Sequence, residues 1–305
     1  MYKIKFYIVD VFAERKYEGN QLAVFLDLES HLTSEAMQAI AKEINFAESS
    51  FIKSNTRGKR FGMRIFTSEL EVPFAGHPSL GTSYVISKFL LPRPQKELVL
   101  ELAIGDIPIS IMNPEMIDDS VLFMTQTQPD FLNSFTHSEV SSELGIPIEF
   151  LDRSMPIQEI TTGLPYIIIP LKSLQAIENI HLESSSFRKF LETRKRYKTN
   201  SSTGQTTSLF FFTKDVYEKG NSFNTRMMAI ENEKLVEDAA TGSANGCLLA
   251  YLLKHVNKSI NATIEQGFQM GRKSLLSLQG SLVENSFQIN VGGRVKLVSE
   301  GTWFG

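Results

Sequence analysis

Residues 71–82 read EVPFAGHPSLGT, a strand-like segment that runs into a turn of small residues and opens an apolar helix. Residues 235–246, about half the chain later, read LVEDAATGSANG and repeat that order. The first turn of a helix leaves backbone N–H groups without intrahelical partners and carries a partial positive charge, so each turn is suited to bind an anion. Two such turns in an internal repeat predict two similar halves that hold one anionic ligand.

Bulk composition bounds the class of protein. The chain has 305 residues, of which 42% are hydrophobic, and its formal net charge is −3. These values are typical of a globular protein with two domains, and the charge balance gives no basic surface for nucleic acid. The N-terminus lacks a signal peptide pattern, and no apolar run approaches the ~20 residues of a membrane span. We therefore expect a cytoplasmic protein that binds neither nucleic acid nor membrane.

Cys247 is the only cysteine, and it lies within the second apolar helix. A disulfide within the chain and a thiolate metal cluster are therefore excluded. We expect a small buried side chain at this position rather than a reactive nucleophile. The five histidines form neither an HxxxH nor an HExxH pair, so the sequence indicates no metal site.

The two halves repeat the same order of elements. Strand-like segments flank an amphipathic or polar helical stretch, and the turn with its apolar helix comes last. These segments are residues 3–11, 21–26, 32–44 and 60–67 in the first half, and 161–170, 184–198, 210–213 and 223–230 in the second. Each apolar helix is hydrophobic on nearly every face and must be enclosed, so we infer short antiparallel strands around a central helix, twice.

Glu48 is the candidate general acid or base. It follows the amphipathic helix and stands among Phe46, Ala47 and Phe51, where desolvation would raise the pKa of its carboxyl towards a working value. Taken alone, Glu48 is explained more simply as an exposed loop carboxylate.

The two turns carry the other candidate groups. His77 follows Gly76 and could be a second proton-transfer group or, with equal weight, a histidine that caps the helix or stabilises the turn. Asp238 precedes the second turn, where the helix dipole favours an acid. Thr241 and Ser243 are good N-cap residues, so capping is their default explanation.

Two polar segments invite further interpretations. Residues 194–198, RKRYK, could be a nucleic-acid patch, but a charge run on a polar helix is usually a solvated face. Residues 199–208 are rich in Ser and Thr and are most simply a surface loop. The sequence leaves open whether this loop is a lid over a site.

Six blocks of sequence occur in order over nearly the whole chain. They are DVF at 10–12 with GN at 19–20, NFAE at 45–48, RIFT at 64–67, EVPFAGHP at 71–78, EDAATGSA at 237–244, and EQG at 265–267 with MGR at 270–272. Together they are far more specific than one glycine-rich turn. By these blocks the chain resembles the PhzF family of phenazine-biosynthesis isomerases.

The resemblance implies an α+β, diaminopimelate-epimerase-like fold with two pseudosymmetric domains. Each domain would have a β-barrel-like sheet around a central helix, with the site in the cleft between the domains. We expect domains at residues 1–127 and 128–305, with the last strand a candidate to pair back with the first domain. The resemblance also implies a homodimer and catalysis without metal, flavin or pyridoxal phosphate, so no cofactor is expected.

The resemblance also assigns roles to residues. A glutamate that matches Glu48 acts as general acid/base, and residues that match His77, Asp238 and Ser243 line the pocket. The turns at Gly76 and Gly242 contact a substrate carboxylate. The expected catalytic residues are Glu48, His77 and Asp238, and the expected substrate-binding residues are Gly76, Gly242, Ser243, Thr241 and Asn20.

Three positions depart from the family pattern, with Gln21 and Ala239 in place of prolines and Ser79 in place of threonine. None of these changes removes a proposed catalytic group, although those at Gln21 and Ser79 bear on pocket shape. Amino-acid racemases of this fold use two cysteines as bases, and this chain lacks such a pair.

We therefore expect a cofactor-independent isomerase in which Glu48 moves a proton on a small carboxylate-bearing molecule. Two alternatives are open. One is a two-base racemase or epimerase of an amino-acid-like substrate, and the other is a non-catalytic protein that binds small carboxylates.

Overall fold

A computed structural model describes residues 3–201, 204–231 and 233–305, without the side chains of residues 55–57. The strands are β1 Lys3–Val11, β2 Asn20–Leu26, β3 Glu48–Arg57, β4 Arg60–Phe66, β5 Glu71–Val72, β6 Glu97–Leu102, β7 Gly105–Ile111, β8 Leu122–Thr125, β9 Asp130–Phe135, β10 Ile157–Thr161, β11 Pro165–Pro170, β12 Ser208–Thr213, β13 Phe223–Glu231, β14 Lys234–Asp238, β15 Ser259–Gln266, β16 Ser274–Val283, β17 Ser286–Gly293 and β18 Val295–Phe304. The helices are α1 Ser34–Ile44, α2 Gly76–Val85, α3 His137–Leu144, α4 Leu174–Glu178, α5 Ser184–Thr193 and α6 Gly242–His255. Ser202 and Thr203 lie outside the described residues. They belong to the loop at residues 199–208, for which the sequence leaves the role of a lid open.

The chain divides into two compact units. Unit 1 comprises Met1–Thr125 and Val291–Gly305, and unit 2 comprises Gln126–Asn290. Among the described residues, no helix is long and apolar enough to cross a membrane.

Unit 1 is built on a mixed sheet with both antiparallel and parallel pairings. Strand β1 pairs antiparallel with β18 on one side and with β2 on the other. Then β2 pairs parallel with β3, and β3 pairs antiparallel with β4. Strand β4 pairs antiparallel with the short β5 and parallel with β6, which pairs antiparallel with β7. Helix α1 connects β2 with β3, and α2 connects β5 with β6.

Unit 2 repeats this topology strand by strand. Strand β10 pairs antiparallel with β11, β11 parallel with β12, and β12 antiparallel with β13. Strand β13 pairs antiparallel with β14 and parallel with β15, which pairs antiparallel with β16. Helices α4 and α5 take the place of α1, and α6 takes the place of α2. The internal repeat predicted from the two turns is therefore confirmed.

The helices that follow the two turns are enclosed, as their apolar composition predicts. All ten residues of α2 are buried, and so are the first twelve of α6. Helix α2 packs against β1 and β2 so closely that a Cβ on Gly81 would lie 2.6 Å from Leu22 Cδ2. Helix α2 ends at Val85 and continues as a π-helical turn over Ile86–Leu90.

The end of helix α1 determines where strand β3 begins, and Glu48 is the first residue of that strand. Its N-cap is Thr33, whose Oγ1 accepts the Ala36 N–H at 3.3 Å. Met37, Ile40 and Ala41 bury the apolar face. Asn45 then adopts a left-handed conformation with φ 56°, which stops the helix. Strand β3 begins three residues later.

The polar helix of unit 2 is shorter than predicted. It ends at Thr193 rather than at residue 198, because Lys195 adopts a left-handed conformation with φ 55°. Residues 194–198 are therefore not helical. Arg194 pairs with Glu143 at 2.6 Å, and Arg196 pairs with the buried Glu159 at 2.8 Å, so both guanidinium groups are engaged within unit 2.

Candidate active site

An arginine–glutamate pair lies just before the turn in each unit, in the same register. In unit 1, Arg64 of β4 binds Glu71 of β5 at 2.7 and 2.6 Å. In unit 2, Arg226 of β13 binds Glu237 of β14 at 2.9 and 2.8 Å. Each glutamate lies opposite the residue two positions after its arginine. The pairs hold both hairpins that lead into the turns.

Glu48 is not an exposed loop carboxylate. It is the first residue of β3 and pairs in the parallel register with Leu22 of β2. Its side chain is 21% exposed. Its carboxyl is therefore partly withdrawn from water but accessible to a small molecule.

His77 is the second residue of α2, and its side chain is 6% exposed. Its Nε2 lies 3.6 Å from Oε2 of Glu48, which is longer than a hydrogen bond. Within the described part of the chain, Nε2 makes no hydrogen bond. A buried ring nitrogen without a partner faces a carboxyl group, and such an atom is costly unless a ligand or a proton completes it.

Burial keeps His77 neutral. It lowers the pKa of the imidazole to about 3, because the charged form loses its solvation. A hydrogen bond with the Gln21 backbone opposes this shift, as expected when a ring N–H donates to a backbone carbonyl. Because Nε2 has no partner, we assign the proton to Nδ1 and the lone pair to Nε2. His77 can therefore accept a proton or a hydrogen bond at Nε2.

Asn20 and Gly76 complete the group in unit 1. The buried Asn20 begins β2, and its side-chain amide lies 3.4 Å from Nδ1 of His77. Gly76 is the first residue of α2, whose N-cap position is Ala75 and makes no side-chain cap. The histidine does not cap the helix, so that interpretation of His77 is wrong. The first N–H groups of α2 have no intrahelical acceptor.

Asp238 and Thr241 form a contact of their own in unit 2. Asp238 is the last residue of β14, and its Oδ2 accepts the Thr241 hydroxyl at 2.6 Å. Thr241 occupies the N-cap position of α6 but makes no side-chain cap. The default explanation of Thr241 by capping is therefore wrong, since its hydroxyl is directed to the carboxylate.

Ser243 also does not cap α6. It lies inside the first turn, one residue after Gly242, and its Oγ is 2.7 Å from the hydroxyl of Tyr166. Both side chains are buried. Tyr166 was not among the predicted site residues. Only the strand register could have pointed to it, because its partner across β11 and β12 is Ser208, the position that corresponds to Glu48.

Gln266 is a second residue that sequence reasoning missed. It ends β15 and is fully buried, and its amide contacts both Thr241 and the backbone of Asp238. The EQG block at 265–267 contained this residue, but nothing local linked it to the turn at Gly242. The contact is made by the parallel pairing of β15 with β13.

The predicted site residues thus form two groups. The structure brings together Glu48, His77, Asn20 and Gly76 within unit 1, and Asp238, Thr241, Gly242 and Ser243 within unit 2. Over residues 3–201, 204–231 and 233–305, no three His, Cys, Asp or Glu side chains are arranged to hold a metal ion. The chemistry that these groups offer is proton transfer and hydrogen bonding.

Comparison with known proteins gives matches along the whole chain. The sequence profile of the PhzC-PhzF family, described as phenazine biosynthesis-like protein, matches residues 9–301. A trans-2,3-dihydro-3-hydroxyanthranilate isomerase of Pseudomonas fluorescens is 30% identical over 97% of this chain and 97% of its own length. An uncharacterised isomerase of Pasteurella multocida is 31% identical over 98% of this chain and 93% of its own.

Solved structures share the fold. A PhzF-family phenazine biosynthesis protein of Bacillus anthracis covers 100% of both chains with a TM-score of 0.84 and 24% identity. A hydroxyproline epimerase of Agrobacterium vitis covers 98% of this chain and 92% of its own, with a TM-score of 0.59 and 10% identity. At these identities the likeness concerns the fold alone. The expected α+β, diaminopimelate-epimerase-like fold class is confirmed.

Proposed function

We propose that this chain, which belongs to the PhzC-PhzF family of phenazine biosynthesis-like proteins and is an isomerase, moves a proton on a small carboxylate-bearing substrate by general acid/base catalysis. The proposal assigns the proton transfer to Glu48 and requires no cofactor. The observation that carries it is the 3.6 Å contact between Oε2 of Glu48 and the unpartnered Nε2 of the buried, neutral His77.

Glu48 first acts as the base. Its carboxylate takes a proton from a carbon of the substrate, and the electron pair of that C–H bond moves into the adjoining π system. The proton on Glu48 exchanges with water, and Glu48 then delivers a proton to a different carbon, so a double bond shifts and the substrate formula is unchanged. No oxidant or reductant is needed.

His77 supports the intermediate stage of this reaction. While Glu48 holds the abstracted proton, its O–H can donate to the lone pair on Nε2 if the contact shortens to the ~2.8 Å of a hydrogen bond. A charged imidazolium could not play this part, because it has no lone pair. The low pKa of His77, about 3, supports the role.

The helix turns are suited to the anionic part of the chemistry. The N–H groups in the first turn of α2, which starts at Gly76, have no intrahelical acceptor and can bind a carboxylate or an enolate-like oxygen. The first turn of α6, at Gly242 and Ser243, offers the same kind of site in unit 2. Preorganised donors of this kind stabilise negative charge that develops in a transition state.

The name of one relative supports a proposal for the substrate class. The Pseudomonas fluorescens relative is named for trans-2,3-dihydro-3-hydroxyanthranilate, which is a ring carboxylate with an amino and a hydroxyl group. We propose a small cyclic or unsaturated carboxylate of similar size for this chain. At 30% identity the substrate itself can differ.

The test is proton exchange in deuterated water. The protein is incubated with trans-2,3-dihydro-3-hydroxyanthranilate and with a panel of small cyclic amino and hydroxy carboxylates, and the position of deuterium is read by NMR. Label at a carbon other than the one that lost its proton supports the proposal. Label confined to one stereocentre with inversion would show an epimerase instead, and binding with neither label nor a shifted double bond would show a binding protein.

We also propose a homodimer in the cytoplasm, on the family resemblance. Light scattering in solution should give twice the mass of one chain across a tenfold range of protein concentration. A mass of one chain throughout that range would contradict the proposed dimer.

A further inference from the structure

We infer that Gln266 is a positioning residue, which acts through Thr241 to fix the orientation of the Asp238 carboxylate. The inference rests on the proposed function only for the catalytic role that the sequence predicts for Asp238. The orientation itself is a property of unit 2 and can be tested without a substrate.

The side-chain amide of Gln266 uses every hydrogen-bonding position that it has. Its Nε2 donates to the Asp238 carbonyl at 3.0 Å and to Thr241 Oγ1 at 3.0 Å. Its Oε1 accepts the Thr241 backbone N–H at 3.2 Å and the Asn245 Nδ2–H at 2.9 Å. Two donors and two acceptor positions are thus filled in a residue with no exposed surface.

These contacts settle which way the amide points. If the amide were turned over, Oε1 would face the Asp238 carbonyl, and Nε2 would face the N–H of Thr241 and the amide of Asn245. Both arrangements oppose like groups and would leave buried donors and acceptors unpaired. Asn245 is itself fixed, because its Nδ2 also donates to the Thr241 carbonyl at 3.0 Å.

The orientation of Gln266 decides the direction of the Thr241 hydroxyl. Since Thr241 Oγ1 already accepts from Nε2, its own proton is free to donate elsewhere. The Asp238 carboxylate lies 2.6 Å away and takes it. The three residues form a chain in one direction, from Gln266 through Thr241 to Oδ2 of Asp238. The chain directs Oδ2 of Asp238 towards Thr241.

A buried scaffold explains why this chain can position a carboxylate precisely enough for proton transfer. Thr241 is 7% exposed and Asn245 is fully buried, whereas Asp238 is only half-buried at the end of β14. The exposed end of the network is therefore the carboxylate, and the buried end is the amide. Groups that act on a substrate need support of this kind from fixed hydrogen bonds behind them.

The test compares crystal structures of Gln266→Glu and Thr241→Val with the unchanged protein. The new carboxylate in Gln266→Glu can only accept, so the Thr241 hydroxyl should turn to it and away from Oδ2 of Asp238. In Thr241→Val the hydroxyl is absent and the shape is kept. We expect the Asp238 side chain to change rotamer or become disordered in both variants, and Thr241→Ser to keep the original orientation.

NMR spectra give a second test, which also serves for a variant that fails to crystallise. In ¹H–¹⁵N spectra the side-chain NH₂ of Gln266 should exchange slowly with water and should shift on Thr241→Val. The control is Gln279→Glu, which adds the same charge to β16 of unit 2 at a partly exposed position. An unchanged Asp238 orientation in both Gln266→Glu and Thr241→Val would overturn the inference.

Kinetics then separate positioning from binding. Once a substrate that the protein converts is known, Gln266→Glu should lower kcat by ~10–100-fold with a smaller change in KM. A rise in KM alone would contradict positioning. Absence of turnover in the unchanged protein would count against the proposed function, whereas the structural readout on Asp238 would still decide the inference.

Discussion

Nε2 of His77 lies 3.6 Å from Oε2 of Glu48, and the contact joins a carboxyl group to a neutral imidazole. The distance alone would allow an ion pair. Burial decides against one, because it lowers the pKa of His77 to about 3 and so keeps the ring uncharged. The two groups are therefore suited to form a hydrogen bond when Glu48 carries a proton, rather than an ion pair.

Replacement of Glu48 by glutamine should abolish catalysis and spare the fold. The amide has nearly the same shape but cannot take a proton, so we expect solvent proton exchange on the substrate to fall by ~10²–10⁴-fold. The thermal midpoint should stay close to that of the unchanged protein. Glu43→Gln, at an exposed position of α1, is the control and should keep the exchange rate. Full exchange by Glu48→Gln would refute the role of Glu48.

His77 should make the protein sensitive to acid. The unfolded chain protonates this histidine near pH 6.5, whereas the folded chain does so only near pH 3. Between these values the unfolded state binds more protons. The free energy of unfolding should therefore decrease as the pH is lowered, by up to ~1.4 kcal/mol per pH unit. His77→Gln should lose that part of the slope in urea titrations from pH 7 to 4. The control is His181→Gln, at an exposed site, which should keep the slope of the unchanged protein. Parallel curves of unfolding free energy against pH for the unchanged protein and both variants would contradict the expected cost of burying His77.

The repeated arginine–glutamate pairs should differ in their effect on stability. The Arg226 side chain is 10% exposed, and besides Glu237 it donates to the carbonyls of Ile177 and Ile180. Arg64 is 28% exposed and its partner Glu71 is 40% exposed. Lysine cannot reproduce the two-pronged contact. We expect Arg226→Lys to cost ~2–4 kcal/mol and Arg64→Lys less than ~1 kcal/mol.

Urea unfolding of both variants gives that comparison. The same substitution is made at the same place of the repeat, so intrinsic differences between arginine and lysine cancel. Equal losses in the two variants would show that burial does not set the strength of these pairs.

Much of the fold could be predicted because its signals are local. The two turns and the apolar helices that follow them are visible in the sequence, and the topology repeats in the same order. Helix α3 was missed although Thr136 and Glu139 form a capping box, which is also a local signal. The end of α5 was missed because Lys195 adopts a conformation that lysine rarely takes.

The candidate site was predictable only in part, because its contacts join distant segments. Glu48 and His77 lie 29 positions apart, and their distance depends on the register of β3 and the packing of α2, which spacing does not reveal. The hydroxyls of Thr241 and Ser243 suit a helix cap in any sequence. Only the structure gives them other partners, Asp238 and Tyr166.

Cys247 should be unreactive in the folded protein, which bears on the chemistry available to this fold. Burial raises the pKa of its thiol to about 12, and its Sγ lies 3.7 Å from Thr162 Oγ1 and 3.8 Å from the Leu164 carbonyl. A thiol in this state is neither a base nor a nucleophile at neutral pH. We expect no reaction with a thiol reagent over a time in which the urea-unfolded chain reacts completely. Fast labelling of the folded protein, with loss of proton exchange, would instead assign the chemistry to the thiolate and remove it from Glu48.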